Sequence, residues 1–356
     1  MTDVIKDWDA FDIVAVPLEG AVPLKSIKRG RPLSTGESLA RHPGPLNGDV
    51  HAPIHGQVME VNEREIIIRR DDEAIGKTPA PLSLPDMTAA ELAQAFKYLG
   101  LDIPEVAPGE PFIIQTFDAE PGLSGSAALF SEHRETMLAA LEALNVLYPE
   151  HPLVWAVAHP GQIPDGANFK LINADYPYTL PDLVKPRITG RRAVIKSGIF
   201  SGRSLYFIGR VWRTGLPVTR MPLTLGPADY FVPIGARIID LLTFANMRPG
   251  PEDLVLKGGL VRGYTLARLG RGLGKKDYAL HLIKGKKFQN NYLACRSCGE
   301  CTRVCPAGLD VAKAGKFSPE QWLSGKFKDD FRDCFQCGAC AMVCPSRRPL
   351  LSLVRL

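Results

Sequence analysis

The chain has 356 residues, 45% hydrophobic and 23% charged, which allows about two to four domains and a sizeable buried core. Its formal net charge of +5 at pH 7 is too weak to argue for nucleic acid as a partner. No run approaches the roughly 18–20 apolar residues that span a bilayer, and the opening MTDVIKDWDAF lacks the apolar core of a secretory signal.

Residues 11–70 predict short strands broken by turns, as in a small β-sandwich or barrel. Val14–Val16, Gln57–Val61 and Glu65–Ile68 are β-rich and bounded by Pro, Gly and Asn. His51 and His55 flank a Pro-containing turn, and with no cysteine or acid cluster beside them they read as turn residues rather than metal ligands. Residues 71–85 are polar and Pro-rich, a linker. A helix follows, capped by Asp86 or Thr88, with Glu91 placed for a capping box. Leu92, Ala95, Phe96 and Leu99 form its apolar face, and Gly100 ends it. Pro111–Phe117 is a strand candidate. Residues 131–147 predict a second helix, with Ser131 as cap and Met137, Leu138, Leu141, Leu144 and Leu147 facing the core. Leu153–Val157 reads as a buried strand and Gly202–Arg213 as a helix, so this region has a β-α-β rhythm. From Pro217 to Leu266 the pattern is β-rich around one amphipathic helix, Arg237–Phe244. Residues 267–290 are basic and Gly-rich. The bland reading of Arg268–Lys276 and Lys284–Lys287 is a solvated linker face; the sharper one is a docking patch for an acidic redox partner or a membrane surface.

All eight cysteines lie beyond this point, in two copies of one spacing. Cys295, Cys298, Cys301 and Cys305 precede Pro306, and Cys334, Cys337, Cys340 and Cys344 precede Pro345. Both read C-x2-C-x2-C-x3-C-P, the run that wraps a [4Fe–4S] cluster. The x2 steps let one turning backbone aim three sulfurs at three irons, and in two-cluster ferredoxins the fourth cysteine serves the other cluster. The expected ligand sets are therefore Cys295, Cys298, Cys301 and Cys344 for one cluster, and Cys334, Cys337, Cys340 and Cys305 for the other. Gly299 and Gly338 sit where the loop passes closest to the cluster, where a Cβ would clash. Structural zinc prefers two C-x2-C pairs with a longer spacer, and disulfides belong to secreted chains, so neither fits.

Four segments in this order resemble the C subunit of the Rnf ion-translocating electron-transport complex and, more distantly, the A subunit of the sodium-pumping NADH:quinone reductase. Ile27–Glu37 with Val50–Val58 resembles the family's N-terminal barrel-sandwich domain, although no lysine stands where a lipoyl hairpin would carry one. Asp118–Pro121 followed by Glu132, His133 and Arg134 resembles the acidic strand end of its flavin-binding α/β domain. Thr224–Phe244, continued by Lys257–Gly259, resembles its β-grasp domain. The cysteine runs match its dicluster domain. The resemblance implies an α+β multidomain chain: a barrel-sandwich hybrid over 1–80, a degenerate α/β domain of the flavodehydrogenase type over 81–215, a β-grasp domain over 216–285 and a 2×[4Fe–4S] ferredoxin-type domain over 286–356.

The chain departs from the family at the loop that cradles the FMN phosphate, of the kind G-x-G-G-A-x-F-P-T. Gly100–Glu110 lacks adjacent glycines and carries Asp102, Glu105 and Glu110, and Gln115 replaces the Asn that opens the acidic motif. Pro121–Ala128 reads as a flexible loop rather than a substitute anion nest. The sequence therefore argues against FMN and against direct NADH oxidation. The expected function is an electron-transfer subunit, cytoplasmic and peripherally attached to the inner membrane. It would relay single electrons between a soluble redox partner and the membrane subunits of an Rnf-type complex. A complete NADH dehydrogenase with FMN in a non-standard site, or an assembly module with structural clusters, are the alternatives.

Overall fold

The computed structural model describes residues 5–159, 163, 167–190, 198–285, 293–316 and 329–351. The described residues form a mixed α/β protein built on four sheets. The first strand, β1 (Lys6–Asp7), pairs far down the chain and is taken up below. Period-two alternation of Val and Ile builds the next layer. β2 (Ile13–Pro17) pairs with β8 (Glu65–Arg70), which pairs with β7 (Gly56–Val61), which pairs with β4 (Pro32–Leu33). The register places Val14 and Val58 opposite Ile68, and Val16 opposite Ile66, so one face is wholly apolar and buried. β3 (Val22–Pro23), β5 (Ser38–Arg41) and β6 (Val50–His51) form a smaller sheet beside it. The strands expected between residues 11 and 70 are all present.

Helix α1 (Ala89–Tyr98) starts as its sequence predicts: Thr88 Oγ1 accepts from the Glu91 N–H, and the Glu91 carboxylate accepts from the Thr88 N–H at 2.9 Å. The four-stranded sheet that follows is parallel throughout, in the order β11 (Phe169–Leu171), β10 (Leu153–Val157), β9 (Phe112–Gln115), β12 (Ile199–Ser201). Both its faces are covered, as parallel sheets require. Phe112, Ile114, Trp155 and Phe200 face α2 (Gly125–Glu132), α3 (Arg134–Leu147) and α5 (Gly202–Thr214), while Ile113, Val154 and Ala156 face α4 (Pro181–Thr189).

Two expectations are corrected here. Pro121–Ala128 is not simply a loop: α2 begins at Gly125, because the Asp118 carboxylate accepts from the Ser126 N–H at 3.1 Å and anchors the first turn. Ser131 lies inside α2 and caps nothing; α3 starts after His133. The core face of α3 is also rotated from the one expected. Leu138, Leu141 and Leu147 are only half-buried, while Thr136, Met137, Ala139, Ala140, Ala143 and Leu144 are buried. Close helix packing selects the small residues: a Cβ on Gly209 of α5 would lie 1.8 Å from the Thr136 carbonyl oxygen.

The six-stranded sheet runs β1, β14 (Ala228–Pro233), β13 (Arg220–Leu225), β17 (Ala279–Ile283), β15 (Leu254–Lys257), β16 (Tyr264–Thr265). Helix α6 (Ile238–Phe244) follows β14, as the amphipathic pattern predicts. β17 sits inside the stretch read as basic and Gly-rich. Its signal is the short run Ala279–Ile283, apolar but for His281, which the flanking lysines mask. Among the described residues no helix is long and apolar enough to cross a membrane.

His51, in β6, is 3% exposed, and burial pushes its pKa down to about 4 against the opposing pull of Asp49. Its folded value lies below its unfolded value, so the neutral ring's contribution is complete above about pH 6.5 and declines as pH falls towards 4. The decline amounts to about 3 kcal/mol. We expect His51→Leu to remove that part of the slope. Urea unfolding of parent and variant across this window checks it, and parallel curves would refute it.

Candidate functional site

The two cysteine loops are conformational copies. In the first, Ser297 (φ 55°) and Gly299 (φ 76°) take left-handed backbone and lead into α7 (Glu300–Arg303). In the second, Gln336 (φ 50°) and Gly338 (φ 75°) do the same before a short helix over Ala339–Met342. The Ser297 N–H points at Cys295 Sγ (3.4 Å) and the Gln336 N–H at Cys334 Sγ (3.3 Å). Amides aimed at sulfur in this way favour the thiolate.

The thiols gather by fours, and the fourth member of each group comes from the other loop. Cys295, Cys298, Cys301 and Cys344 line one small cavity; Cys305, Cys334, Cys337 and Cys340 line a second. Among the described residues no group of His, Cys, Asp and Glu side chains converges as a single metal ion demands. Thiols that stand around a space suit a cubane, which takes one at each of four irons; a zinc ion would draw them to about 2.3 Å. Burial raises the pKa of Cys301, Cys334 and Cys337, and burial together with the neighbouring thiols Cys337 and Cys334 pushes Cys340 up to about 12. Thiolates at such positions need nearby positive charge, which iron would supply.

Val311, Ala314, Phe331 and Leu350 pack around Cys301 and Cys340. α8 (Val311–Lys316) brings Gly315 so close that a Cβ there would lie 3.3 Å from Cys295 Sγ. The second group is seated against the α/β layer. Leu180 and Leu183 pack on Cys337 and Ala339, and the Tyr176 hydroxyl donates to the Cys337 carbonyl. No spacing signal marked Tyr176, Leu180 or Leu183 for this role.

A cavity of about 840 Å³ opens at the carboxyl ends of β9 and β12, where open α/β sheets hold their ligands. Asp118, Ser126, Arg203, Asp229 and Tyr278 contribute polar groups to it. Burial raises the Asp118 pKa, and it lowers that of Arg203 to about 10 despite Asp277 and Asp118 nearby. Gln115 donates through Nε2 to the carbonyls of Phe117 (3.0 Å) and Thr179 (2.9 Å), which fixes its amide and leaves the buried Oε1 without a partner. Of the residues matched to the flavin-binding domain, Asp118, Ala119 and Glu120 reach this cavity. Glu132 instead accepts from the Ile5 N–H at 3.1 Å.

The stretch that stands where the family cradles the FMN phosphate borders the same cavity, and part of its backbone is engaged. Gly100, Leu101, Ile103 and Glu110 donate to the carbonyls of Lys97, Phe96, Leu46 and Ala107, and Pro104 and Pro108 have no N–H. Four engaged amides, two prolines and the Glu105 carboxylate at the cavity make this stretch a poor fit for the FMN phosphate. Asp102 is not a free charge: Lys275 (2.6 Å) and Lys276 (3.4 Å) pair with it. Lys275 also donates to the carbonyls of Gly48 and Gly100, so part of the basic 268–276 segment holds layers together. Gly272 lies in the same seam, where a Cβ would meet the Ala15 carbonyl oxygen at 1.9 Å. Lys286 and Lys287 lie outside the described residues. His51 is buried and His55 exposed, and among the described residues neither joins a metal-binding group.

Residues 294–348 match the family model of the 4Fe-4S dicluster domain. The chain is 24% identical over 339 residues to the C subunit of the ion-translocating oxidoreductase complex of Serratia proteamaculans, covering 80% of this chain and 47% of that protein. The corresponding protein of Pseudomonas aeruginosa is 24% identical over 350 residues, covering 82% and 44%. The chain is similar to these C subunits. It spans about half the length of the curated relatives it matches. Among solved structures, the air-oxidised NAD+-reducing [NiFe]-hydrogenase aligns over 74% of this chain and 56% of the other, at 17% identity and a TM-score of 0.45.

The paired glycines separate two costs. A Cβ on Gly299 meets nothing within 4 Å, whereas one on Gly338 would lie 2.8 Å from Val261 Cγ1. Each alanine substitution bears about 1–2 kcal/mol for left-handed backbone. Gly338→Ala should lose about a further 1–3 kcal/mol from overpacking. Thermal unfolding of the two variants checks this, and equal losses would show that the clash relaxes freely.

Proposed function

We propose that this chain is an iron–sulfur electron-transfer subunit that relays single electrons through two [4Fe–4S] clusters. One is held by Cys295, Cys298, Cys301 and Cys344, the other by Cys334, Cys337, Cys340 and Cys305. The observation that carries the reading is the grouping of the eight thiols into two fours with exchanged fourth members. Such clusters take up one electron at a time, so the chain's own task is to hold them close together and to keep Cys337 and Cys340 away from water.

Relatives named as subunits of an ion-translocating oxidoreductase complex support membership in an Rnf-type assembly. There the chain would sit on the cytoplasmic side of the inner membrane and exchange electrons between a soluble partner and membrane subunits. In this reading residues 1–80 form a barrel-sandwich hybrid, 81–215 a degenerate flavodehydrogenase-like domain, 216–285 a β-grasp domain and 286–356 the ferredoxin-type domain. The parallel sheet and its end cavity support the second assignment. We further propose that the chain binds no FMN and does not oxidise NADH, because the would-be phosphate loop holds two prolines and engages four of its amides internally. Hydride transfer delivers two electrons and needs a flavin-like converter before one-electron centres.

Anaerobically reconstituted protein should hold about eight irons; a count near four, or zinc in place of iron, overturns the assignment. Cys344→Ser should perturb the EPR signal of the cluster on the Cys295 loop, and a change confined to the Cys334-loop cluster would show that the fourth ligands do not cross.

Added FMN and NADH should leave the cluster absorbance of the reconstituted protein unbleached. Rapid FMN-dependent bleaching would replace the relay with the dehydrogenase alternative.

A further inference from the structure

The two thiol groups differ in access. In the second group Cys337 and Cys340 are buried and no thiol is exposed, with Cys337 packed under Leu180 and Leu183 and its loop pressed on Val261; in the first only Cys301 is buried. Cys298 is exposed, and it lines the same cavity as Cys295, Cys301 and Cys344. Two segments frame it, 293–298 and 344–348, and they are stitched together. The Ser346 hydroxyl donates to the Ala294 carbonyl at 2.9 Å, and the Leu293 N–H donates to the Ser346 carbonyl at 3.3 Å. An Arg348 guanidinium N–H donates to the Leu293 carbonyl at 3.4 Å.

These segments carry Arg296, Arg347 and Arg348 and no acid. Arg296 and Arg347 are exposed, and among the described residues neither pairs with a carboxylate. The nearest acid in sequence, Glu300, is already paired with Arg303. Leu293, 47% exposed, adds an apolar contact in the same frame. The Cys334 loop, by contrast, is preceded directly by Asp333. Electrostatic complementarity of this kind steers encounter more than it adds to final affinity, and salt screens it.

We propose that the face around Cys298 is the docking surface for a small acidic one-electron carrier protein, whose carboxylates meet Arg296 and Arg347. The inference rests on the two-cluster reading above and assigns that surface to the cluster bound by Cys295, Cys298, Cys301 and Cys344. On docking, the reduced carrier gives up one electron and this chain takes it up, with no bond made or broken and no proton moved. The surface is distinct from the basic 268–276 segment, where Lys275 is committed to Asp102.

The test uses the full cluster-loaded chain and a strongly acidic plant-type ferredoxin as probe. Equilibrium binding by biolayer interferometry and electron transfer by stopped flow are followed at low and high salt. R296E/R347E should weaken binding and slow transfer about tenfold or more at low ionic strength, with the difference gone near ~0.5 M salt. R268E/R271E should change neither. Iron content and dithionite-reduced EPR, unchanged in both variants, read the cluster assignment separately. If charge reversal lowers iron content, R296Q/R347Q reads the same charge dependence with less disturbance. Full iron content with salt-independent binding, or a loss confined to R268E/R271E, overturns the docking surface and leaves the two-cluster reading standing.

Discussion

Each thiol-lined cavity draws three cysteines from one loop and the fourth from the other, and the C-terminal region is organised around that exchange. Neither cavity can be completed by its own loop, so the segments over 293–316 and 329–351 close on one another or not at all. Their apolar filling is small: Val311, Ala314, Phe331 and Leu350 are the main buried side chains besides the cysteines. The exchange therefore sets the geometry of the site.

The start of α4 links this region to the rest of the chain. Leu180 and Leu183 pack on Cys337, while Pro181, between them, lines the large cavity at the end of the parallel sheet. Gln115 and Thr179 complete the connection, since the Gln115 amide donates to the Thr179 carbonyl and the Thr179 hydroxyl to the Ala119 carbonyl. A few residues thus separate a thiol group from a cavity holding buried charges of both signs.

The sequence made some of this plain and hid the rest for physical reasons. The cysteine spacing is a local code, so the two loops could be read directly; their glycines were expected for close approach to a cluster, whereas the structure shows left-handed backbone at both and Val261 beside Gly338. The capping box at Thr88 and Glu91 and the Val/Ile alternation in β2, β7 and β8 are equally local. The face of α3 was misread because leucines outrank alanines in any pattern of hydrophobicity, whereas the real constraint is the narrow gap at Gly209. α2 was missed because Asp118, seven residues ahead of it, supplies its first-turn acceptor. β17 was hidden by lysines that flank its largely apolar run. Tyr176 carries no motif at all; only the tertiary fold brings it to Cys337.

The parallel pairing of β1 with β14 sets Lys6 opposite Tyr230. Arg220 clasps the same entry, bonding Asp7, Asp9 and the carbonyls of Trp8 and Phe231. During synthesis these first residues leave the ribosome long before their partner strand exists. At about 5–20 residues per second, the interval is on the order of ten seconds or more. Trp8 and Phe11, both buried in the finished protein, stay without their final surroundings for that time. The six-stranded sheet is therefore sealed at its edge late, by a contact of very high sequence separation. Contacts of that kind slow folding and lengthen the exposure of apolar surface to chaperones and to other nascent chains.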